Sequence, residues 1–368
     1  MKLCLIYNFA QHYRTSIFRL IDQNYDCDFF FGDNHGDIKL LDYNLLKGKV
    51  VTTHTQKMGK GWYFQKGIPG LIHQNYDAYL MLGESRALST WLFLLMSKFY
   101  PKKKVYLWSH GWYGKETKAE KFLKKVLFKL ANGGLFLYGN YAKELMIREG
   151  FDPKKIFVIH NSLAYEKQLE IRNKIQASPI YAKHFKNTNP TIIFIGRLTK
   201  VKKIHLLIEA VERLQHKGQN YNLVLVGDGV EKDALQELVR RKNLVNNVWF
   251  YGACYDEQVN AELIYNADLC VAPGNVGLTA MHVMVFGTPV ITHNDFRYQM
   301  PEFEAVIPNQ TGDFFEYDDI DSLSACIGHW FDVKSNKREE VRMDCYKEID
   351  ESWNPDYQIA VINENLVI

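Results

Sequence analysis

Short apolar runs alternate along this chain with longer stretches whose apolar side chains recur at helical spacing. The first run, KLCLIY at 2–7, precedes an amphipathic segment at 15–23 and a second run at 28–32. Runs at 79–82, 105–108, 134–138 and 156–159 follow, separated by helical patterns at 86–99, 118–131 and 140–149. The pattern loosens after 161 and restarts at 191. Strands are then expected at 191–195, 223–226, 248–251, 269–272 and 290–292. Helices are expected at 203–216, 231–242 and 278–286, with a helical tail at 322–331 and 337–366. Strands that alternate with helices in this way predict parallel sheets covered by helices on both faces.

The pattern therefore reads as two α/β halves of Rossmann-like architecture. A length of 368 residues also suits about two domains. The boundary falls at the polar, proline-ended stretch KNTNP, 186–190. Expected limits are 1–165 for the first domain, 166–189 for a connecting segment and 190–349 for the second domain. A cleft between two such halves is the natural place for a ligand.

Composition narrows the classes of partner. The formal charge is +3, so no bulk electrostatic attraction to nucleic acid is implied. Six scattered cysteines without a CxxC pair suit buried thiols in a reducing compartment better than a disulfide frame or a zinc site. MKLCLIYNF turns polar too soon for a signal peptide. The apolar window 91–96, between Arg86 and Lys98, falls short of the ~20 residues of a membrane span. The chain reads as cytoplasmic.

Chemistry concentrates in the second half. After the strand at 269–272 comes Pro273-Gly274-Asn275-Val276-Gly277, then a helix, then Gly287-Thr288-Pro289. Glycines ahead of a helix let the backbone approach a ligand, and the first free N–H groups with the helix dipole favour an anion such as a diphosphate. Taken alone, the segment also reads as an ordinary strand–turn–helix. Gly196-Arg197-Leu198 follows the strand TIIFI, with Lys202 five residues beyond Arg197. An arginine fork and a lysine point charge at a strand's carboxyl end suit a diphosphate. Val226-Gly227-Asp228-Gly229 and Phe250-Tyr251-Gly252 complete the series.

In this order and spacing the four segments resemble those of the family 4 glycosyltransferases. The resemblance is firm over 191–331 and loose in the first half. It implies the GT-B fold: two Rossmann-like domains facing across a cleft, with a C-terminal helix, about 350–368, returning to the N-terminal domain. It further implies a retaining glycosyltransferase of the capsule or O-antigen type. Such an enzyme moves a sugar from a nucleoside-diphosphate donor to a hydroxyl of a glycan, which in some relatives is lipid-linked. Neither cofactor nor metal is implied; the D-x-D pairs Asp26/Asp28 and Asp319/Asp321 fall away from the expected site. Arg197 and Lys202 are implied to neutralise the leaving diphosphate. Gly196, Gly227, Gly252, Asn275, Gly277, Leu278, Thr279 and His282 are implied to hold the donor.

The chain departs from the family pattern where two glutamates eight apart are usual. Gly274 and His282 stand there instead, and Lys203 replaces the glycine after the motif lysine. His282 is able to bond a ribose through a ring nitrogen, whereas Gly274 offers no side chain. In the first half, His110 in SHGWYG follows the strand VYLW and is the candidate for the reacting centre. Tyr13, Arg14 and Trp112 are candidates for the acceptor. Nine lysines at 102–129 suggest either a solvated helix face or contact with an anionic membrane, which would place the enzyme at the membrane's inner face. A regulatory binding protein on a degenerate GT-B scaffold is the alternative function, and a sugar-nucleotide epimerase is a third.

Overall fold

The alternation of the sequence closes into two parallel sheets in separate compact units. A computed structural model describes residues 1–34, 36 and 38–367. The first unit comprises 1–164 together with 354–368, and the second is Tyr165–Trp353.

The first unit runs β1 (Lys2–Tyr7), α1 (Thr15–Asn24), β2 (Asp26–Gly32), β3 (Val50–Thr53), a small hairpin of β4 (Thr55–Lys57) and β5 (Tyr63–Gln65), β6 (Ala78–Leu82), α2 (Leu88–Ser97), β7 (Lys104–Ser109), α3 (Lys118–Leu130), β8 (Gly134–Leu137), α4 (Asn140–Arg148) and β9 (Ile156–Val158). Its sheet has the order β3-β2-β1-β6-β7-β8-β9, parallel throughout. Both faces of the strands are covered, so they read as continuous apolar runs, as buried parallel strands must. One face carries Phe29, Phe31, Trp108 and Phe136, and the other carries Tyr79, Leu107 and Leu137.

The second unit opens with α5 (Tyr165–Arg172) and α6 (Ile180–Phe185). There follow β10 (Thr191–Ile195), α7 (Ile204–His216), β11 (Asn222–Val226), α8 (Lys232–Arg241), β12 (Val248–Gly252), α9 (Glu257–Asn266), β13 (Leu269–Ala272), α10 (Thr279–Met284), β14 (Val290–His293), β15 (Gly312–Phe315), α11 (Ile320–Lys334) and α12 (Arg338–Ser352). The sheet order is β12-β11-β10-β13-β14-β15. In both sheets the order reverses beside the first strand, at β1/β6 and at β10/β13. Crevices at the carboxyl ends of strands beside such reversals are where open α/β sheets bind ligands.

Three expectations need correcting. The stretch 166–189 is not a bare connector. It contains α5 and α6, and Tyr181 donates to the Leu263 carbonyl of α9, which makes it part of the second unit. The tail helix is broken: α12 ends at Ser352, and α13 (Pro355–Asn365) starts afresh. Asn354 caps α13 by accepting from the Tyr357 N–H, and Pro355 occupies the first turn, where its missing N–H costs nothing. The segment that returns to the first unit therefore begins at Asn354, with Ile359, Ile362 and Leu366 entering that unit's core. The sequence pattern also missed β3, β4, β5 and β15. These strands are short, and β3 to β5 are largely polar or half-exposed.

Candidate functional site

In the second unit the ends of β10, β11 and β12 and the loops after them are zipped together by backbone hydrogen bonds. The Gly196 N–H donates to the Val226 carbonyl, Leu198 to Asp228, and Gly227 to Gly252. A side chain at Gly227 would put its Cβ 1.9 Å from the Gly196 carbonyl oxygen, so only glycine fits there. Thr279, at the start of α10, donates through Oγ1 to the Ile195 carbonyl and ties that helix to the end of β10.

These contacts shape a cavity of about 360 Å³ lined by Gly196, Arg197, Gly227, Asp228, Tyr255 and His282, among others. Arg197 is exposed there, with no ion-pair partner among the described residues. Asp228, on the same wall, is held by Lys232 at 2.9 Å. Gly252 lies at the end of β12 with open space around its α-carbon.

Lys202 lies at the neighbouring loop. Its Nζ donates to the Asn275 carbonyl at 2.7 Å and to Asn275 Oδ1 at 2.9 Å. Burial, reinforced by the charge of Arg197 and opposed by that of Glu302, pushes the ammonium down to about 8. Gly277 is a close neighbour, a Cβ there lying 4.0 Å from Lys202 Nζ. Gln299 braces the loop from below. It accepts from the Val276 N–H at 2.9 Å and donates to Thr292 and to the His293 carbonyl. Among the described residues the N–H groups of Gly277 and Leu278 have no backbone acceptor. Two cations thus stand on the loop after β10, and the second of them lies beside Gly277.

The departures from the family pattern acquire physical causes here. At Gly274 a Cβ would lie 2.0 Å from the Val201 carbonyl oxygen and 2.7 Å from Lys202 Cα. The loop after β10 fills the space that a glutamate side chain would need. Asn275, expected toward the donor, turns its amide oxygen to Lys202 instead. His282 is not a lone ring: its Nε2 stands 3.1 and 3.2 Å from the two carboxylate oxygens of Glu257. Glu257 also accepts from Gln168 of α5 at 2.8 Å. Although burial opposes it, these bonds hold the Glu257 carboxyl below the usual range. A carboxylate absent from α10 is thus supplied from α9. The sequence hid it because Glu257 follows the capping residue Asp256 and looks like first-turn helix chemistry. Lys203 adopts φ +51°, the left-handed conformation that glycine takes without cost, and pairs with Asp318 at 2.6 Å.

Residues 179–348 match the model of the family described as glycosyl transferases group 1. That segment belongs to the group 1 glycosyl transferases. A stretch of 177 residues, 47% of the chain, is 30% identical to a glycogen synthase of Mycobacterium tuberculosis and spans 42% of that protein. A stretch of 214 residues, 57% of the chain, is 28% identical to a poly(ribitol-phosphate) alpha-N-acetylglucosaminyltransferase of Staphylococcus aureus and spans 39% of it. The chain therefore spans less than half the length of these curated relatives. A structure of Anabaena HepE in complex with UDP is similar over the whole chain and 99% of its own, with a TM-score of 0.74 at 16% identity. At that identity the likeness is one of fold, and the fold is GT-B.

The first unit has its own cavity, of about 390 Å³, at the loops after β1, β6 and β7. Tyr13, Arg14 and His110 line it, with Glu84, Lys124 and Tyr138 beside them. His110 stacks on Tyr113 and approaches Tyr138. Burial, and then the charges of Arg14 and Lys124, push its imidazole down to about 3, so it is neutral at ordinary pH. Trp112 is a correction. It is buried between Phe128 and Phe151, at 5.6 and 5.3 Å, and packs the core under α3. The positive φ of Gly111 turns the chain so that Trp112 points inward while its neighbour Tyr113 faces the cavity.

The lysine-rich helix α3 is partly neutralised. Lys121 and Lys125 pair with Glu149, and Lys124 with Glu116. α2, the turn after it and α3 expose Leu92, Leu95, Phe99 and Phe122, with Phe99 85% exposed. Among the described residues no helix is long and apolar enough to cross a membrane, and no cluster of three His, Cys, Asp or Glu suits a metal ion.

Proposed function

We propose that this chain is a retaining glycosyltransferase that moves a sugar from a nucleoside-diphosphate donor to a glycan hydroxyl in cell-surface polysaccharide synthesis. The observation that carries the reading is the exposed Arg197 on the cavity at the end of β10, with Lys202, which feels its charge, on the adjoining loop beside Gly277. Charge developing on a leaving diphosphate would meet fixed donors there, which is electrostatic stabilisation of the transition state. Lys202, held near 8 by burial, becomes a stronger cation once a phosphate stands beside it.

The remaining roles follow from placement. Glu257 fixes His282 through Nε2 and leaves Nδ1 to accept from a ribose hydroxyl. Tyr255, almost fully exposed on the same cavity, is positioned to stack on a nucleobase. A leaving phosphate oxygen that takes the acceptor's proton on the same face would need no protein base, in keeping with Asp228 being tied to Lys232. Neutral His110 would bond a sugar hydroxyl in the first unit's cavity. The UDP complexes of HepE make a uridine nucleotide the first donor to try. The exposed apolar residues of α2, of the turn after it and of α3, with the exposed Lys98, Lys102 and Lys118 in the same segments, would suit anionic lipid.

Incubation with UDP-, GDP- and dTDP-sugars, with and without lipid-linked acceptors, tests the reading through nucleotide release. Diphosphate binding without turnover across the panel would replace it with the alternative, a regulatory protein on a GT-B scaffold. Flotation with anionic liposomes tests the membrane surface. Phe99→Ser together with Phe122→Ser should abolish co-flotation, and a wild-type chain that stays at the bottom removes that part.

A further inference from the structure

The first unit's cavity contains a cation that no anionic group among the described residues neutralises. Arg14 is 6% exposed, yet among the described residues no carboxylate stands within ion-pairing distance of it. Its guanidinium lies over the rings of Tyr7, Trp108 and Tyr138 at 5.2 Å each, with Tyr13 at 5.8 Å. One nitrogen, Nη2, donates to the Tyr138 hydroxyl. Nε and Nη1 are buried and have no acceptor among the described residues. Arginine does not escape this cost by losing its proton. Ring faces attract a cation but leave its N–H donors unspent. The rest of the cavity does not supply the missing anion. Glu84, a carboxylate on its wall, accepts from the Tyr63 hydroxyl at 2.8 Å. Glu116 is spent on Lys124 and on the N–H groups of Tyr113 and Gly114. Lys124, also on the wall, is neutralised by Glu116 and leaves Arg14 as the unpaired cation.

We infer that this cavity is an oxyanion subsite: Arg14 grips a phosphate or carboxylate carried by the acceptor, so the acceptor is an anionic glycan. The inference rests on the glycosyltransferase reading for the word acceptor, and on Arg14 alone for the anion. Nε or Nη1, together with the second N–H of Nη2, offers the fork that planar or tetrahedral oxyanions accept. The aromatic cage fixes that fork. Neutral His110, beside it, adds no charge and leaves selection to Arg14.

The test uses the full chain saturated with UDP, so that the donor's phosphate positions are filled. Glucose 6-phosphate, glucuronate and glucose are titrated by calorimetry. Both anions should bind at least tenfold more tightly than glucose. Arg14→Gln should remove that preference, and Arg14→Lys should keep part of it. Equal affinity for glucose and the anions in the wild-type chain overturns the inference, whatever the variants do. So does a preference that survives Arg14→Gln. If Arg14→Gln or Arg14→Lys weakens UDP instead of the anions, Arg14 serves the donor and the inference is likewise overturned. Failure of the wild-type chain to bind any nucleotide would count against the glycosyltransferase reading, while the anion preference would still be measured without nucleotide.

Discussion

Gly274 is the position where a single methyl group should do most harm. In Gly274→Ala the new Cβ would lie 2.0 Å from the Val201 carbonyl oxygen, where real Cβ atoms essentially never come within 3.0 Å. The two loops must therefore part by about 1 Å. Both neighbours are backbone, so no side-chain rotation relieves the contact. Parting stretches the bond from the Gly274 N–H to the Lys202 carbonyl, now 3.0 Å, which contributes about 1 kcal/mol. Overpacking of a tight interior adds roughly 1–3 kcal/mol. A loss of about 2–4 kcal/mol in a unit of this size lowers the melting temperature by roughly 5–15 °C. The same movement carries Lys202 away from Asn275, so UDP affinity should fall about tenfold or more, equivalent to roughly 1.4 kcal/mol. Differential scanning fluorimetry and calorimetric UDP titration read both effects. Asn275→Ala is the control, since it removes one acceptor of Lys202 and leaves the backbone acceptor in place. Restoring the family glutamate, Gly274→Glu, should be worse than alanine. A Gly274→Ala protein that melts within about 1 °C of wild type and binds UDP unchanged would refute the packing argument.

Four further outcomes are expected. UDP affinity should decline as pH rises through about 8, where Lys202 loses its proton, and Lys202→Arg should move that decline to higher pH; a pH-independent affinity up to about 10 would remove Lys202 from the site. Glu257→Gln should raise the UDP dissociation constant about threefold to tenfold with little effect on melting, because it loosens His282 without emptying the core; an unchanged constant would make the pair structural. His293 is fully buried and its imidazole is pushed down to about 4, by burial first and then by Lys203. Its folded value lies below the unfolded one, so its share of stability, about 3 kcal/mol, is complete above about pH 6.5 and is lost as pH falls toward 4; His293→Gln should flatten that acid limb in a urea-denaturation series. Finally, Lys203→Gly should be more stable than Lys203→Ala by about 1 kcal/mol, the reverse of helix propensity, because the position is left-handed; chemical denaturation of the two variants decides it.

The sheets were readable because buried parallel strands are unbroken apolar runs. Lys2–Tyr7 and Thr191–Ile195 were expected at the residues where they occur. The hairpin Thr55–Lys57 with Tyr63–Gln65 was not, since short polar strands gain their identity only from a partner. Arg197, Gly196, Gly227 and His282 were expected near one another, and they line one cavity. Glu257 and Gln299 were invisible because their meaning depends on what faces them across the fold. Trp112 went wrong for a related reason: in a loop, adjacent residues point to opposite sides, and only the backbone turn at Gly111 says which. Gly274 was noticed as the loss of a carboxylate, whereas the fold places there a backbone crossing that excludes any side chain.

The return of α13 has a consequence for how the chain is made. Ile359, Ile362 and Leu366 complete a core whose strands begin near the first residues, with Leu3 among its members, and Tyr106 donates its hydroxyl to the Val367 carbonyl. During synthesis the first sheet leaves the ribosome long before the helix that seals it. The second unit, Tyr165–Trp353, is contiguous and has all its strands in hand before that helix emerges. The first sheet is thus translated before the second unit and finished after it, and its α1 face stays open to chaperones, or to aggregation, until α13 emerges.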